Sequence, residues 1–165
     1  MGELVRAFDA VYAKHPRARL LMVGDFEPEL DPIDPDTERA LNEHPGIRRT
    51  GFVHDVRPWA SISDAFVLPS YREGLPNSLI EAGSMGLPSI ATDINGCNEV
   101  IQPGKNGVLV PVRAVDPLRD AMLRMLEDTQ HYEALKASSR PNVVARFDQA
   151  WFHQELIDYY RGVLG

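Results

Sequence analysis

The chain alternates between apolar residues spaced three or four positions apart and short uninterrupted apolar runs. The spaced residues predict amphipathic helices, at residues 3–14, 35–42, 76–85 and 98–102. The short runs predict strands covered on both faces, at residues 19–23, 47–50, 65–68, 88–92 and 108–110. Gly and Pro stand at most junctions, where they end helices and form turns. The regular exchange predicts an α/β fold with a doubly wound parallel sheet.

The chain departs from this alternation at its beginning and at its end. The chain opens with a helix where a doubly wound unit normally begins with a strand, so an edge or central strand is expected upstream. After Asp116 and Pro117 the pattern is wholly helical, with apolar stripes around Met122 and from Trp151 to Tyr160. We therefore expect one domain over residues 1–165, truncated at its start, with extra C-terminal helices.

Composition and charge narrow the classes of function. A chain of 165 residues with 44% hydrophobic and 25% charged residues can bury one ordinary core. The net charge of −7 argues against a nucleic-acid partner, and equally against unaided binding of a diphosphate. No apolar run approaches the ~20 residues of a membrane span and no leader is seen, so we expect no transmembrane segment and a cytoplasmic protein. Cys97 is alone and predicted to be buried, and the five His show no zinc-type spacing.

The most informative stretch, residues 69–82, leads from a strand through a glycine turn into a helix. Amides at a helix start lack internal partners and point outward with the positive end of the helix dipole, so they can hold a phosphate. Gly74 allows close approach, and Pro76 suits the first helical position. Glu73 and Glu81, about 6–8 Å apart along the helix axis, could flank the phosphate and accept hydrogen bonds from sugar diols. Spacing alone leaves open that both are solvated surface acids.

This stretch resembles the signature of family 4 retaining glycosyltransferases, whose GT-B fold has two Rossmann-like halves facing across a cleft. Further segments look like the second half of that family, in order along nearly the whole chain. They are 51–56, 64–65, 69–70, 86–88, 92–96, 99–101 and 104–107. The resemblance implies a C-terminal domain that binds a nucleotide diphosphate sugar, with the N-terminal acceptor domain absent.

The resemblance also implies roles for individual residues. Glu73 would contact hydroxyls of the donor sugar at the reacting centre, as the candidate catalytic residue, and Glu81 would hold the ribose. Backbone amides would face the sugar or the phosphates at Gly74, Leu75, Asn77, Ser78 and Leu79. The nucleobase and the floor of the site would be formed near Gly51, Val53, His54, Val56 and Gly24. The glycines at 24, 51 and 96 could instead simply form turns, and the polar pair at 77 and 78 could simply cap the helix.

One feature of the family pattern is missing. An Arg and a Lys just upstream neutralise the diphosphate in the family, and Met1 stands where the Lys would precede Gly2. Arg72 and Lys105 are the candidates for partial replacement. The expected co-substrate is the nucleotide sugar. No separate cofactor is expected.

Several other polar residues have simpler explanations. Asp34 and Asp36 spell the Asp-x-Asp pattern of metal-dependent glycosyltransferases of another fold, but they also suit a helix start, so no metal is predicted. Four histidines are interpreted as surface residues, at 15, 44, 131 and 153. His54 alone is expected near the cleft.

The resemblance implies transfer of a glycosyl group from a nucleotide diphosphate sugar, in the first place a UDP-sugar, to an acceptor hydroxyl with retention. The motifs look most like bacterial enzymes of capsule and other surface polysaccharides. The acceptor would be a carbohydrate or polyprenyl-linked sugar bound by the missing domain, at the inner membrane face, and this chain alone would be inactive. A sugar-nucleotide epimerase of the same fold and a non-catalytic nucleotide-sugar-binding module remain alternatives.

Overall fold

The computed structural model describes residues 1–25 and 32–164. The strands are β1 (Leu20–Met22), β2 (Ile47–Arg49), β3 (Phe66–Leu68), β4 (Ser89–Thr92) and β5 (Gly107–Val110). The helices are α1 (Gly2–Lys14), α2 (Pro35–Glu43), α3 (Arg57–Ser61), α4 (Asn77–Ser84), α5 (Cys97–Val100), α6 (Val115–Glu127), α7 (Thr129–Phe147) and α8 (Gln149–Leu164). The predicted α/β class and element order are confirmed. The short helix α3 was not predicted, because one turn of helix has no measurable periodicity.

All strand pairs in the described part of the chain are parallel, and they form two groups. β1 pairs with β2, and β3, β4 and β5 pair in that order. The four-residue strand β4 is central to its group and is buried throughout, whereas each residue of β3 is only half-buried. The sheet that was predicted as one unit is therefore divided between β1 and β3.

In the described part of the chain, each group has two unpaired outer edges, and those of β1 and β3 are among them. In β1 the Leu20 amide donates to Gly46 O and the Met22 carbonyl accepts from the Thr50 amide, both at 3.0 Å. Because alternate residues of a strand direct their N–H and C=O groups to opposite edges, those of Leu21 point away from β2. The Phe66 amide donates to Pro88 O at 3.0 Å, so Val67 of β3 likewise points away from β4.

Helices cover both faces of the strands. One core cluster joins α1 and α6 to β1, β2, β4 and β5, and its strand residues are Leu20, Ile47, Ile90 and Val110. A second cluster on the opposite face joins α4 and α5 to the neighbouring β4 residue, with Leu79, Ala91, Cys97, Val100 and Ile101 at its centre. The two strand groups thus share one core, which places their unpaired edges within a single domain.

The Asp-x-Asp pattern forms the start of α2. Asp34 accepts hydrogen bonds from the Thr37 hydroxyl at 2.6 Å and the Thr37 amide at 2.9 Å. These bonds hold the pKa of Asp34 below its ordinary value. Asp36 pairs with Arg39 at 2.6 Å. The helix-start explanation is confirmed, and residues 26–31 of the preceding acidic segment lie outside the described residues.

The C-terminal helices differ in how they pack. The α7 helix contributes Leu135, Ser139 and Val143 to the interior. The α8 helix has the predicted apolar stripe, yet every one of its residues is exposed, including Trp151 at 59% and Tyr159 at 67%. The expected amphipathic helix is present without a described surface to cover it. Within residues 1–25 and 32–164, no helix combines the length and apolarity that crossing a bilayer requires.

Helix α4 packs closely on α7 at Gly83. A Cβ atom at Gly83 would lie 2.5 Å from Cγ2 of Val143. We expect Gly83→Ala to destabilise the fold, because overpacking costs about 1–3 kcal/mol and helix propensity returns only ~1 kcal/mol. Adding Val143→Ala should recover part of the loss. Urea unfolding of the single and double variants measures both effects.

Gly162 provides the matched control for this prediction. It also lies inside a helix, α8, but a Cβ there would meet no atom of residues 1–25 and 32–164 within 4 Å. Gly162→Ala should therefore leave stability unchanged or raise it. Equal effects of the substitutions at positions 83 and 162 would contradict the close α4–α7 contact.

Candidate functional site

The predicted site residues lie in loops that follow the carboxyl ends of strands, or in the first two turns of α4. Gly24 follows β1, residues 51–56 follow β2, and residues 70–76 follow β3. The Gly24 amide donates to Gly51 O at 3.1 Å, which joins the first two loops. The Tyr71 hydroxyl donates to Glu3 Oε1 at 2.7 Å, which joins the third loop to the first turn of α1. Ligands of open α/β sheets bind at this edge.

The start of α4 presents backbone amides that have no hydrogen-bond partner in the described part of the chain. The helix begins at Asn77, so Pro76 is the residue before it and not the predicted first helical residue. The Leu79 amide donates to Pro76 O at 3.1 Å, and the Leu79 side chain is fully buried. The amides of Asn77 and Ser78 donate to no described residue, and no side chain caps the helix. These two amides are the free donors, while that of Leu79 is already occupied.

Glu81 lies on the same exposed face of α4 as the side chains of Asn77 and Ser78, whose amides are free. The buried residues of the helix are Leu79, Ala82 and Gly83, which face the core and α7. Glu81 follows Asn77 by four positions and Ser78 by three, the spacings that place side chains on one helix face. It is exposed and has no hydrogen-bond or ionic partner among the described residues. Its carboxylate is therefore free to accept hydrogen bonds beside the helix start.

Glu73 is half-buried in the loop before α4, beside a buried thiol. Cys97 is fully buried, as predicted. Its pKa is raised to about 11, chiefly by burial and to a smaller extent by the negative charge of Glu73. A thiol with this pKa is protonated at neutral pH and is a poor nucleophile. Among the described residues no cation or donor pairs with the Glu73 carboxylate. The half-buried carboxylate of Glu73 is therefore free to accept hydrogen bonds from a ligand at this edge.

The glycines after β1 and β2 adopt backbone conformations that other residues disfavour. Gly24 has φ 111° and Gly51 has φ 67°. Beyond them Val53 is half-buried, whereas His54 is exposed and its ring meets that of Phe52 edge-on, with centroids 5.0 Å apart. Val56 is 40% exposed at the start of α3. This loop offers apolar and aromatic surface at the edge where the strands end.

The cations near the site differ from the predicted pair. Arg72 lies in the loop after β3 and has no acidic partner in the described part of the chain. Lys105 precedes β5, so it lies at the amino ends of the strands, where its carbonyl accepts a hydrogen bond from Ser138. The expectation that Lys105 helps to neutralise a diphosphate is therefore wrong. Arg113, which the sequence analysis did not single out, follows β5 with φ 57° and lies over the Tyr71 ring at 5.3 Å.

The histidines interpreted as surface residues divide into two kinds. His153 is exposed, and His15 bonds Glu127 at 2.6 Å between α1 and α6. His44 instead packs in an aromatic cluster, with its ring 4.8 Å from that of Tyr12, and Nε2 of His131 is buried. The surface interpretation is wrong for these last two, because the His44 ring packs against aromatic rings and Nε2 of His131 is shielded from solvent.

The family model for glycosyl transferases group 1 matches residues 1–128. This match covers the strands and every loop of the candidate site. The chain belongs to the glycosyl transferases group 1 family.

Individual relatives agree with the family match. The chain is 25% identical over 162 residues to the Staphylococcus aureus capsular polysaccharide biosynthesis glycosyltransferase CapM, covering 98% of this chain and 42% of CapM. It is 31% identical over 113 residues to the Escherichia coli UDP-Gal:alpha-D-GlcNAc-diphosphoundecaprenol alpha-1,3-galactosyltransferase, covering 68% of this chain and 29% of that enzyme. Anabaena HepE, solved in complex with UDP-glucose, superposes with a TM-score of 0.85 at 21% identity, over 98% of this chain and 45% of HepE. The chain spans less than half the length of each.

The hydrogen bond between Tyr71 and Glu3 makes stability depend on pH. The Tyr71 hydroxyl holds the pKa of Glu3 below its ordinary value of 4.5. A lowered carboxyl pKa contributes stability above the unfolded pKa, and this contribution is lost as pH falls through the folded pKa. Tyr71→Phe should lower the free energy of unfolding at neutral pH by at most about 1 kcal/mol, given solvent screening. The difference should vanish well below pH 4.5.

Denaturant unfolding of wild type and Tyr71→Phe across that pH range measures the effect. Tyr160→Phe is the control, because Tyr160 is 55% exposed in α8 and its hydroxyl bonds no described residue. A Tyr71→Phe deficit that does not change with pH would show that the hydroxyl does not act through Glu3.

Proposed function

We propose that this chain is the donor-binding domain of a retaining glycosyltransferase that uses a nucleotide diphosphate sugar, in the first place a UDP-sugar. The observation that carries the proposal is the presence, at one sheet edge, of the amides of Asn77 and Ser78 and the carboxylates of Glu73 and Glu81. None of these groups has a partner among the described residues. The family match makes a nucleotide sugar the natural ligand for this combination. The UDP-glucose bound by HepE, a protein of the same fold, supports the choice of donor.

The diphosphate would lie at the start of α4. Free amides and the helix dipole supply positive potential there without a cationic side chain. This backbone contribution is important because the chain has a net charge of −7, which by itself disfavours an anionic ligand. Arg72, unpaired among the described residues, would add a mobile positive charge at the same edge.

The two carboxylates would recognise the two sugars of the donor. Glu81, on the exposed side of α4, would accept hydrogen bonds from the ribose diol. Glu73, half-buried before the helix, would accept from hydroxyls of the transferred sugar and hold its anomeric carbon for attack. Gly74 and Leu75 would add amides to the sugar or the distal phosphate, and the loop of Gly51, Val53, His54 and Val56 would contact the base above Gly24.

The chemical step would be departure of the nucleoside diphosphate and attack by an acceptor hydroxyl. The amides at the α4 start would stabilise the charge that develops on the leaving phosphate oxygen, a preorganised electrostatic contribution. Glu73 would position the sugar and need not form a covalent bond. The reaction as proposed requires no separate cofactor.

The acceptor would be bound by a further domain of the whole protein. The unpaired edges at Leu21 of β1 and Val67 of β3 could receive one additional strand, which would complete a single doubly wound sheet. The exposed aromatic stripe of α8 would also be covered by a second domain. By analogy with the names of its relatives, the acceptor would be a carbohydrate or a polyprenyl-linked sugar in bacterial surface polysaccharide synthesis, at the cytoplasmic side of the membrane.

Substitution of the two carboxylates should affect nucleotide binding and glycosyl transfer separately. In the full-length protein, Glu81→Gln should weaken UDP binding about tenfold, because a charge-assisted bond to the ribose is lost. Glu73→Gln should leave UDP affinity near that of wild type and strongly reduce transfer from the donor sugar. Calorimetric titration with UDP and GDP, and product analysis with UDP- and GDP-sugars, measure the two effects.

Glu99→Gln is the matched control, since Glu99 is an exposed acid on α5 whose carboxylate has no described partner. Unchanged nucleotide affinity in Glu81→Gln would contradict the ribose assignment. A product that is an epimerised nucleotide sugar, formed without an acceptor, would assign the chain to a different reaction.

Hydrogen exchange tests the open edges of β1 and β3. The amides of Leu21 and Val67 should exchange rapidly in the isolated chain and slowly in the full-length protein, where an added strand would accept their hydrogen bonds. The amide of Ile90 in β4, which is paired on both sides, should be protected in both proteins. Rapid exchange at positions 21 and 67 in the full-length protein would contradict the completed sheet.

A further inference from the structure

The loop between β4 and α5, residues 93–96, lies against the back of the loop that contains Glu73 and Gly74. Gly96 is buried and has φ 83°. A Cβ atom on Gly96 would lie 2.0 Å from the carbonyl oxygen of Gly74, 2.9 Å from its carbonyl carbon and 3.2 Å from Cδ of Pro76. These distances exclude any side chain at position 96 unless the Gly74 segment moves.

The contact determines the orientation of one peptide group. The Gly74 oxygen is nearer to the Gly96 Cβ position than the Gly74 carbon is, so the carbonyl is directed at Gly96. The described residues contain no cis peptide bond, and a trans peptide directs its C=O and N–H oppositely. The N–H of the same peptide belongs to Leu75, and it must point away from Gly96. Leu75 is 48% exposed and its amide donates to no described residue, so this amide is available on the side of the loop away from Gly96.

A second contact holds the beginning of the same loop. Thr92, the last residue of β4, is 3% exposed, and its hydroxyl donates a hydrogen bond to the carbonyl of Ser70. Cys97, fully buried directly after Gly96, lies close enough to Glu73 for the carboxylate to raise the pKa of the thiol. The β3–α4 loop is therefore supported at its start, its middle and its end by the segment 92–97.

We propose that Gly96 and Thr92 are positioning residues for the donor site, holding the Gly74–Leu75 peptide so that the Leu75 amide points toward the sugar-bearing phosphate. The inference rests on the proposed function. It goes beyond it by assigning the support of the site to a loop that would itself touch no ligand. Substitution of Gly96 should impair the distal part of the donor more than the nucleoside, which Glu81 and the loop of Gly51 would bind.

Gly86 provides a closely matched control for Gly96. Its φ of 85° is close to the φ of 83° at Gly96, so an alanine at either position takes a left-handed φ, yet a Cβ at Gly86 would meet no described atom within 4 Å. In the full-length protein, Gly96→Ala should lower affinity for UDP-glucose about tenfold relative to Gly86→Ala. Affinity for UMP, which lacks the distal phosphate and sugar, should be equal in the two variants. GDP-mannose and GMP are titrated in parallel in case the base is guanine.

Thr92 tests the same idea without strain in the backbone. Thr92→Val removes the hydroxyl that bonds Ser70 and should lower UDP-glucose affinity with little effect on UMP, whereas Thr92→Ser should restore wild-type binding. Wild-type binding of UDP-glucose in Thr92→Val, or equal binding in the alanine variants at 86 and 96, would overturn the positioning role. If wild-type protein bound no member of either nucleotide series, the proposed function itself would fail.

Discussion

The shared direction of the strands is the constraint on which the candidate site depends. Because paired strands are parallel, the loops that follow them open at the same edge, and residues far apart in the sequence meet there. The helices that follow these loops begin at the same edge, so their positive ends converge on it. A chain with more acidic than basic residues thereby acquires a place suited to an anion. The acidic side chains can then serve in recognition of hydroxyl groups.

The support behind the loops is as specific as the loops themselves. Helix α4 presents Glu81 outward, while its opposite face contacts the core through Leu79 and α7 through Gly83. The preceding loop is held from behind by Thr92 and Gly96. The parts proposed to contact a ligand are thus fixed by residues that face the interior. Such preorganisation lowers the cost of ordering the site when a ligand binds.

The order of the elements, and the placement of most candidate site residues at one edge of the strands, could be predicted from the sequence. Local signals sufficed for them, such as the apolar runs of the strands and the Asp34 cap that ends in a bond to Thr37. The sequence also predicts a free amide at Leu79. In the structure the tight first turn of α4 bonds this amide to Pro76 O, a detail of backbone geometry that the sequence pattern does not report. The position of Lys105 was misjudged although the signal was available: a residue that precedes a parallel strand lies at the opposite edge from one that follows it.

Contacts between loops were the features that no local pattern could predict. Gly96 was recognisable as a turn glycine, but its contact with the carbonyl of Gly74 depends on how two βα units pack side by side. The same holds for the bond from Tyr71 to Glu3, which joins residues at opposite ends of the fold's first half. The exposure of the α8 stripe also depends on what lies beside it, since periodicity reports an amphipathic face and not its partner.

The amides of Asn77 and Ser78, which donate to no described residue, affect which substitutions such a domain can accept during evolution. An amide hydrogen is present in every amino acid except proline, so the polar side chains of Asn77 and Ser78 could be exchanged widely while the two donors persist. Mutational tolerance at these positions would then be high without loss of anion recognition. Strict identity would instead be required behind the loop, where a single added methyl group at Gly96 would collide with the main chain. In a domain of this kind, we expect substitutions to be tolerated where the backbone faces the ligand and to be selected against in the layer beneath it.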